Sequence, residues 1–222
     1  MKKLIIVFLV MLSSIAIYAQ NGDIGLFAGS SYYTGDLNPG TPFNDCLPAF
    51  GAFYRYNFNN RLAIKAGYIG TTLQSFDFQI DRGLSFSTKL NEISAQLEVN
   101  FAEFGIGVNE KRLSPYIFGG VGYTWFTARR DSIGINPKSI QANITSVPFG
   151  LGLKYTPVEN LSIGLEWGYR KNFGQQADKI DNVYEPGVRI SNAKDFYAFA
   201  GFWISFKLNF LKGERCEELN KH

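Results

Sequence analysis

FYAFAGFWISFKLNF, residues 196–210, keeps one phase for its whole length: Phe196, Ala198, Ala200, Phe202, Ile204, Phe206, Leu208 and Phe210 take every second position. A helix would scatter such a series around its circumference, whereas a period of two puts it on one side of a β-strand. LSIGLEWGYR (161–170) repeats the signal, with Leu161, Ile163, Leu165, Trp167 and Tyr169 against Ser162, Gly164, Glu166, Gly168 and Arg170. In LNEISAQLEVNF (90–101), Ile93, Leu97 and Phe101 also fit helical spacing. Taken alone, that stretch leaves an amphipathic helix open, and repetition elsewhere decides for a strand.

Strands are expected near 22–32, 48–58, 61–72, 90–104, 114–128, 144–156, 160–172 and 195–210. Phe50, Ala52, Tyr54, Tyr56 and Phe58 oppose Gly51, Phe53, Arg55 and Asn57, and Leu62, Ile64, Ala66 and Tyr68 oppose Ala63, Lys65 and Gly67. The phase of PYIFGGVGYTWF (115–126) stays open because both of its faces are apolar or glycine. The first strand is weakly patterned.

Asn59-Asn60 and Pro157–Asn160 read as tight turns and 105–113 as a somewhat longer link, alternating with long stretches near 33–47, 73–89, 129–143 and 173–194. Short and long connections in alternation suit an all-β, eight-stranded antiparallel transmembrane β-barrel with short periplasmic turns and long extracellular loops. Closure removes strand edges, and lipid requires every backbone group to be paired. The alternative is a soluble sandwich or lipocalin-like barrel, in which the apolar row faces inward. The long aromatic row and the loop asymmetry favour lipid outside.

The N-terminus fits an exported chain. Lys2 and Lys3 precede an apolar run, Leu4–Leu12, and Ala19-Gln20 offers a cleavage point, so residues 1–19 read as a signal peptide. A retained anchor is the alternative, but the run is short for a bilayer span of about 20 residues. Without Lys2 and Lys3, 20 basic residues face 19 acidic ones, near +1. That balance gives no basic footprint for nucleic acid. Mean hydropathy is −0.07 with 16% aromatic residues, as expected where alternation hides the apolar half. The divisions are 1–19 signal peptide, 20–210 outer-membrane barrel and 211–222 periplasmic tail.

A barrel of this size is filled by side chains. The inward set is Arg55, Lys65, Glu92, Glu98, Lys154, Glu166, Arg170 and Lys207, with Ser94, Gln96 and Asn100. Mixed signs predict a neutralising network, since buried charges need partners. A selective pore and acid–base chemistry by paired carboxylates are the functional alternatives. The single histidine is the terminal His222, which gives a nucleophile no base and a metal no ligand set. No enzyme activity, cofactor or small-molecule substrate is expected. Glycines in FGG and FGLG read as relief of crowding. Cys46 falls in the first long loop and Cys216 in the tail, so the membrane would separate them. Cys216, with Arg215 and Glu214, is the candidate docking element for a periplasmic partner, along with 105–113.

The chain resembles the PorG-like outer-membrane barrels of the type IX secretion system of Bacteroidota. SSYYTGDLNPG (30–40), YRYNFNNRLA (54–63), RGLSFSTKLNEISAQLEVNF (82–101), SPYIFGGVGY (114–123), VPFGLGLKY (147–155) and LSIGLEWGYR (161–170) carry the likeness. DKIDNVY (178–184) and KDFYAFAG (194–201) extend it, while GQQA after Phe173 departs from the pattern. The resemblance implies a non-enzymatic part of a secretion machine, anchoring periplasmic ring proteins that include a lipoprotein. It also implies that the barrel is not the translocation channel.

Overall fold

The computed structural model describes residues 22–34, 46–76, 85–104, 113–132, 135–158, 160–173 and 196–208. They form eight antiparallel strands: β1 (Gly22–Thr34), β2 (Leu47–Asn57), β3 (Leu62–Phe76), β4 (Ser85–Asn100), β5 (Leu113–Ser132), β6 (Ile135–Val158), β7 (Leu161–Phe173) and β8 (Phe196–Lys207). Each pairs with the next, and β1 pairs with β8 to close the barrel.

The apolar rows point outward. Phe202 is 70% exposed, Leu26 62%, Val121 62% and Leu165 47%, a band that water would not tolerate around a monomer. The inward rows carry the charges, so the lipocalin-like alternative, with its apolar row inside, is excluded. The open phase of β5 resolves with Leu113, Ile117, Val121, Tyr123 and Trp125 outward and Tyr116, Phe118, Thr124 and Phe126 inward. Its pairing with β4, Val99 opposite Ile117 and Glu98 opposite Phe118, fixes what composition left open.

Inward glycines make room for inward rings. A Cβ on Gly164 would lie 2.4 Å from the Trp203 ring, one on Gly152 2.4 Å from Tyr116 and one on Gly168 2.4 Å from Phe118. Gly164→Val is therefore expected to lower stability by about 1–3 kcal/mol through overpacking, read as an earlier midpoint in urea unfolding from lipid vesicles.

Two expected long loops are corrected. β5 runs on to Ser132 and β6 begins at Ile135, inside the expected loop 129–143, and β3 runs on to Phe76 and β4 begins at Ser85, inside the expected loop 73–89. The hairpins continue as ladders, Arg129 opposite Ser139 and Ser75 opposite Phe86. Above the lipid both faces of a strand meet water, so alternation fades while backbone pairing persists. The expected strand ends at 104 and 210 also retract, to Asn100 and Lys207. The Asn59-Asn60 turn is as expected: Asn59 Oδ1 accepts from the backbone N–H of Arg61 and of Leu62, both at 2.8 Å.

Candidate functional site

Each strand contributes one side chain to a continuous polar chain across the lumen. Asp23 (β1) meets Arg55 (β2) at 3.6 Å, and Arg55 meets Glu98 (β4) at 2.8 Å. Glu98 also receives Lys154 (β6) at 2.6 Å and Lys65 (β3) at 3.6 Å. Lys65 pairs in turn with Glu166 (β7). Tyr116 (β5) donates to Glu166 at 2.9 Å, and the Trp203 (β8) indole donates to the Tyr116 hydroxyl at 3.2 Å. Three cations, Arg55, Lys65 and Lys154, face three carboxylates, Asp23, Glu98 and Glu166, so the layer is neutral.

Aromatic faces complete the solvation of the cations. The Arg55 guanidinium lies 4.4 Å from the Trp203 ring centroid, and the Lys154 ammonium lies 4.4 Å from that of Tyr116. Such contacts stabilise desolvated cations where water is excluded. On the side away from the termini, Arg170 pairs with Glu92 at 3.4 Å, and Glu92 accepts from the Tyr197 hydroxyl at 2.6 Å. Thr124 and Tyr197 hydroxyls lie 2.8 Å apart. This second layer is also neutral.

Apolar side chains fill the remaining lumen: Phe27, Phe53, Phe118, Phe199 and Trp203, with Leu73, Leu90, Phe126 and Ile144 further out. At the end bearing the termini Phe104 is 4% exposed, with its backbone N–H on Asn60 O at 2.9 Å. A cavity of about 20 Å³ beside Lys65, Gln96 and Glu166 has room for a water or so, not for a hydrated ion in transit.

The expected lumen residues thus divide. Arg55, Lys65, Glu98, Lys154 and Glu166 join one layer, and Glu92 and Arg170 form another. Lys207 sits half-buried at the rim, opposite Asp23 in the strand pairing. Gln96 and Asn100 are buried, and the Gln96 amide donates to Ser94 at 3.1 Å. Asp23, Tyr116, Trp203, Thr124 and Tyr197 were missed. Asp23 was recoverable by counting back in twos from the inward Phe27. Tyr197 and Trp203 fall on the face opposite the outward row of 196–210, whereas Tyr116 carries no signal, because the phase of its strand stays open and a ring in the lumen and a ring in lipid look alike. Cys46 is exposed just before β2. Glu214, Arg215, Cys216 and 105–112 lie outside the described residues.

Comparison with solved structures agrees on architecture. Neisserial surface protein A shares 13% identity with a TM-score of 0.50, covering 85% of this chain and 97% of that one. The outer membrane protein OprG from Pseudomonas aeruginosa shares 14% with a TM-score of 0.50, covering 85% and 98%. Ail, the attachment invasion locus protein of Yersinia pestis, crystallised with the heparin analogue sucrose octasulfate, shares 19% with a TM-score of 0.47, covering 83% and 97%. At these identities the likeness to Neisserial surface protein A and OprG shows the outer-membrane barrel fold and nothing finer. No curated protein matches the sequence. A family model matches residues 2–214, and the chain belongs to that family, described as a domain of unknown function, DUF6089.

Proposed function

We propose that this barrel is a non-enzymatic outer-membrane component of a protein-secretion machine of the type IX kind, anchoring a periplasmic ring that includes a lipoprotein. The charge-neutral lumen, filled by side chains among the described residues, supports this reading, because it favours holding other proteins over passing solute. The PorG-like motifs supply the machine. In this reading residues 1–19 are removed on export and 211–222 face the periplasm, where Glu214, Arg215 and Cys216 meet the partner.

The test is an affinity pull-down of the tagged full-length barrel from native outer membranes, solubilised gently and run without reductant. Recovery with a periplasmic lipoprotein supports the reading; recovery of the barrel alone, with secretion intact in a deletion strain, rejects it. Where a high-mass species forms, Cys216→Ser is expected to abolish it on non-reducing gels, and persistence would place the link elsewhere.

A second reading, an adhesive or structural barrel working through its outer loops, draws on the long β5–β6 hairpin, Leu113–Ser132 with Ile135–Val158. It requires function to survive loss of 211–222 and to fail on shortening of the hairpin's outer end, where Arg129 pairs with Ser139.

A further inference from the structure

The lipid-facing side of β3–β6 changes character in three successive rows. The lowest is hydrocarbon-like, with Ile93, Ala95 and Val121 outward and the β4–β5 pairs Ala95–Val121 and Ile93–Tyr123 side by side. In the next row Gly70, Asn91, Trp125 and Asn143 lie side by side on four adjacent strands. Around it sit Tyr68 and Tyr123, with ring centroids 6.3 and 6.4 Å from that of Trp125. The Tyr68 hydroxyl donates to Asn91 Oδ1 at 2.8 Å, and the Asn143 amide donates to the Tyr123 hydroxyl at 2.7 Å. Tyr68, Tyr123 and Trp125 are 43%, 44% and 39% exposed. The third row is Thr72, Lys89, Thr127 and Gln141, in which Lys89 and Gln141 are exposed.

Two hydrogen-bonded side-chain amides among outward Tyr and Trp rings, with an exposed lysine one row above, suit the polar–apolar boundary of a barrel wall rather than its hydrocarbon band. Their level is the membrane interface, and by the barrel's topology it is the outer leaflet. Fixed ring faces flanked by amide and hydroxyl groups suit a sugar ring, which presents C–H bonds on its faces and hydroxyls at its edge. A cation one row above suits a phosphate on that sugar, and the apolar row below suits the acyl chains.

We propose that this surface, centred on Trp125, Asn91 and Lys89, binds the phosphorylated sugar headgroup of an outer-leaflet glycolipid. The site requires only that the barrel sit in the outer membrane, and stands apart from any role in secretion.

The experiment is native mass spectrometry of the full-length barrel in mild detergent, titrated separately with diphosphoryl lipid A, monophosphoryl lipid A and phosphatidylglycerol. The wild type is expected to prefer diphosphoryl lipid A over phosphatidylglycerol. Lys89→Gln should weaken diphosphoryl lipid A binding at least about fivefold, the weight of one lysine near an anionic surface, and weaken phosphatidylglycerol, with its single charge, by less. Trp125→Leu should weaken both lipid A forms, and Trp125→Phe should retain them. Heat-shifted gel migration confirms folding of each variant. Should Trp125→Leu not fold, Lys89→Gln decides together with Tyr68→Phe, which removes the hydroxyl bonded to Asn91 and is expected to weaken both lipid A forms, unchanged binding by both variants overturning the proposal. Equal binding of phosphatidylglycerol and lipid A by the wild type, or wild-type binding by Lys89→Gln, overturns the proposal.

Discussion

Glu98→Ala is expected to destabilise the folded barrel by about 3–5 kcal/mol, the range for removing one partner of a buried ion pair. Glu98 receives Arg55, Lys154 and Lys65 at 2.8, 2.6 and 3.6 Å and is fully buried. Without it the layer keeps three cations against Asp23 and Glu166, so a net positive charge is left in a dry lumen. Glu98→Gln keeps the volume and part of the hydrogen bonding, so its loss should be smaller. Glu98→Leu combined with Lys154→Leu removes opposite charges together and should recover much of the stability, because well-packed apolar replacements of buried pairs are often tolerated. Urea unfolding from lipid vesicles measures all three. Additive losses in the double variant would mean that the pair does not act as a unit.

Leu165→Arg is expected to cost about 2–4 kcal/mol, the value for a cation at the midplane of a lipid-facing barrel wall. Leu165 lies outward on β7 between Leu153 of β6 and Phe202 of β8, and is 47% exposed. The cost should depend on depth. Leu113 is 52% exposed at the start of β5, near the periplasmic rim, and Leu113→Arg there should cost about 0–1 kcal/mol. In a water-soluble barrel neither substitution would matter much. Equal, small losses at both positions would remove lipid from the outer wall.

The outward wall was legible in the sequence because lipid imposes a rule on every second residue. In β8, Phe202, Ile204 and Phe206 all emerge exposed, at 70%, 38% and 54%. The rule lapses where lipid ends, so the Arg129–Ser139 ladder read as loop. It fixes which residues face inward but not their polarity. Tyr197, Phe199 and Trp203 alternate with the lipid row and are themselves apolar, yet they line the lumen. Which inward charges meet was not legible either. Lys65 and Glu166 come from β3 and β7, strands that are not neighbours in the wall. Only the closed geometry brings them together. Mixed signs in one narrow space pointed to mutual compensation, but the inward set read from the sequence held five cations against three carboxylates, and the balance emerges only with Asp23 added and Lys207 at the rim.

The two neutral layers and the rings between them make the lumen a strut joining all eight strands.

The most direct test is conductance of the purified full-length barrel in planar bilayers, with folding and insertion verified independently. The filled lumen predicts a quiet bilayer at moderate voltage, without discrete ohmic steps. Reproducible steps from the wild-type barrel, absent from mock-purified membranes, would contradict it and identify the barrel as a pore.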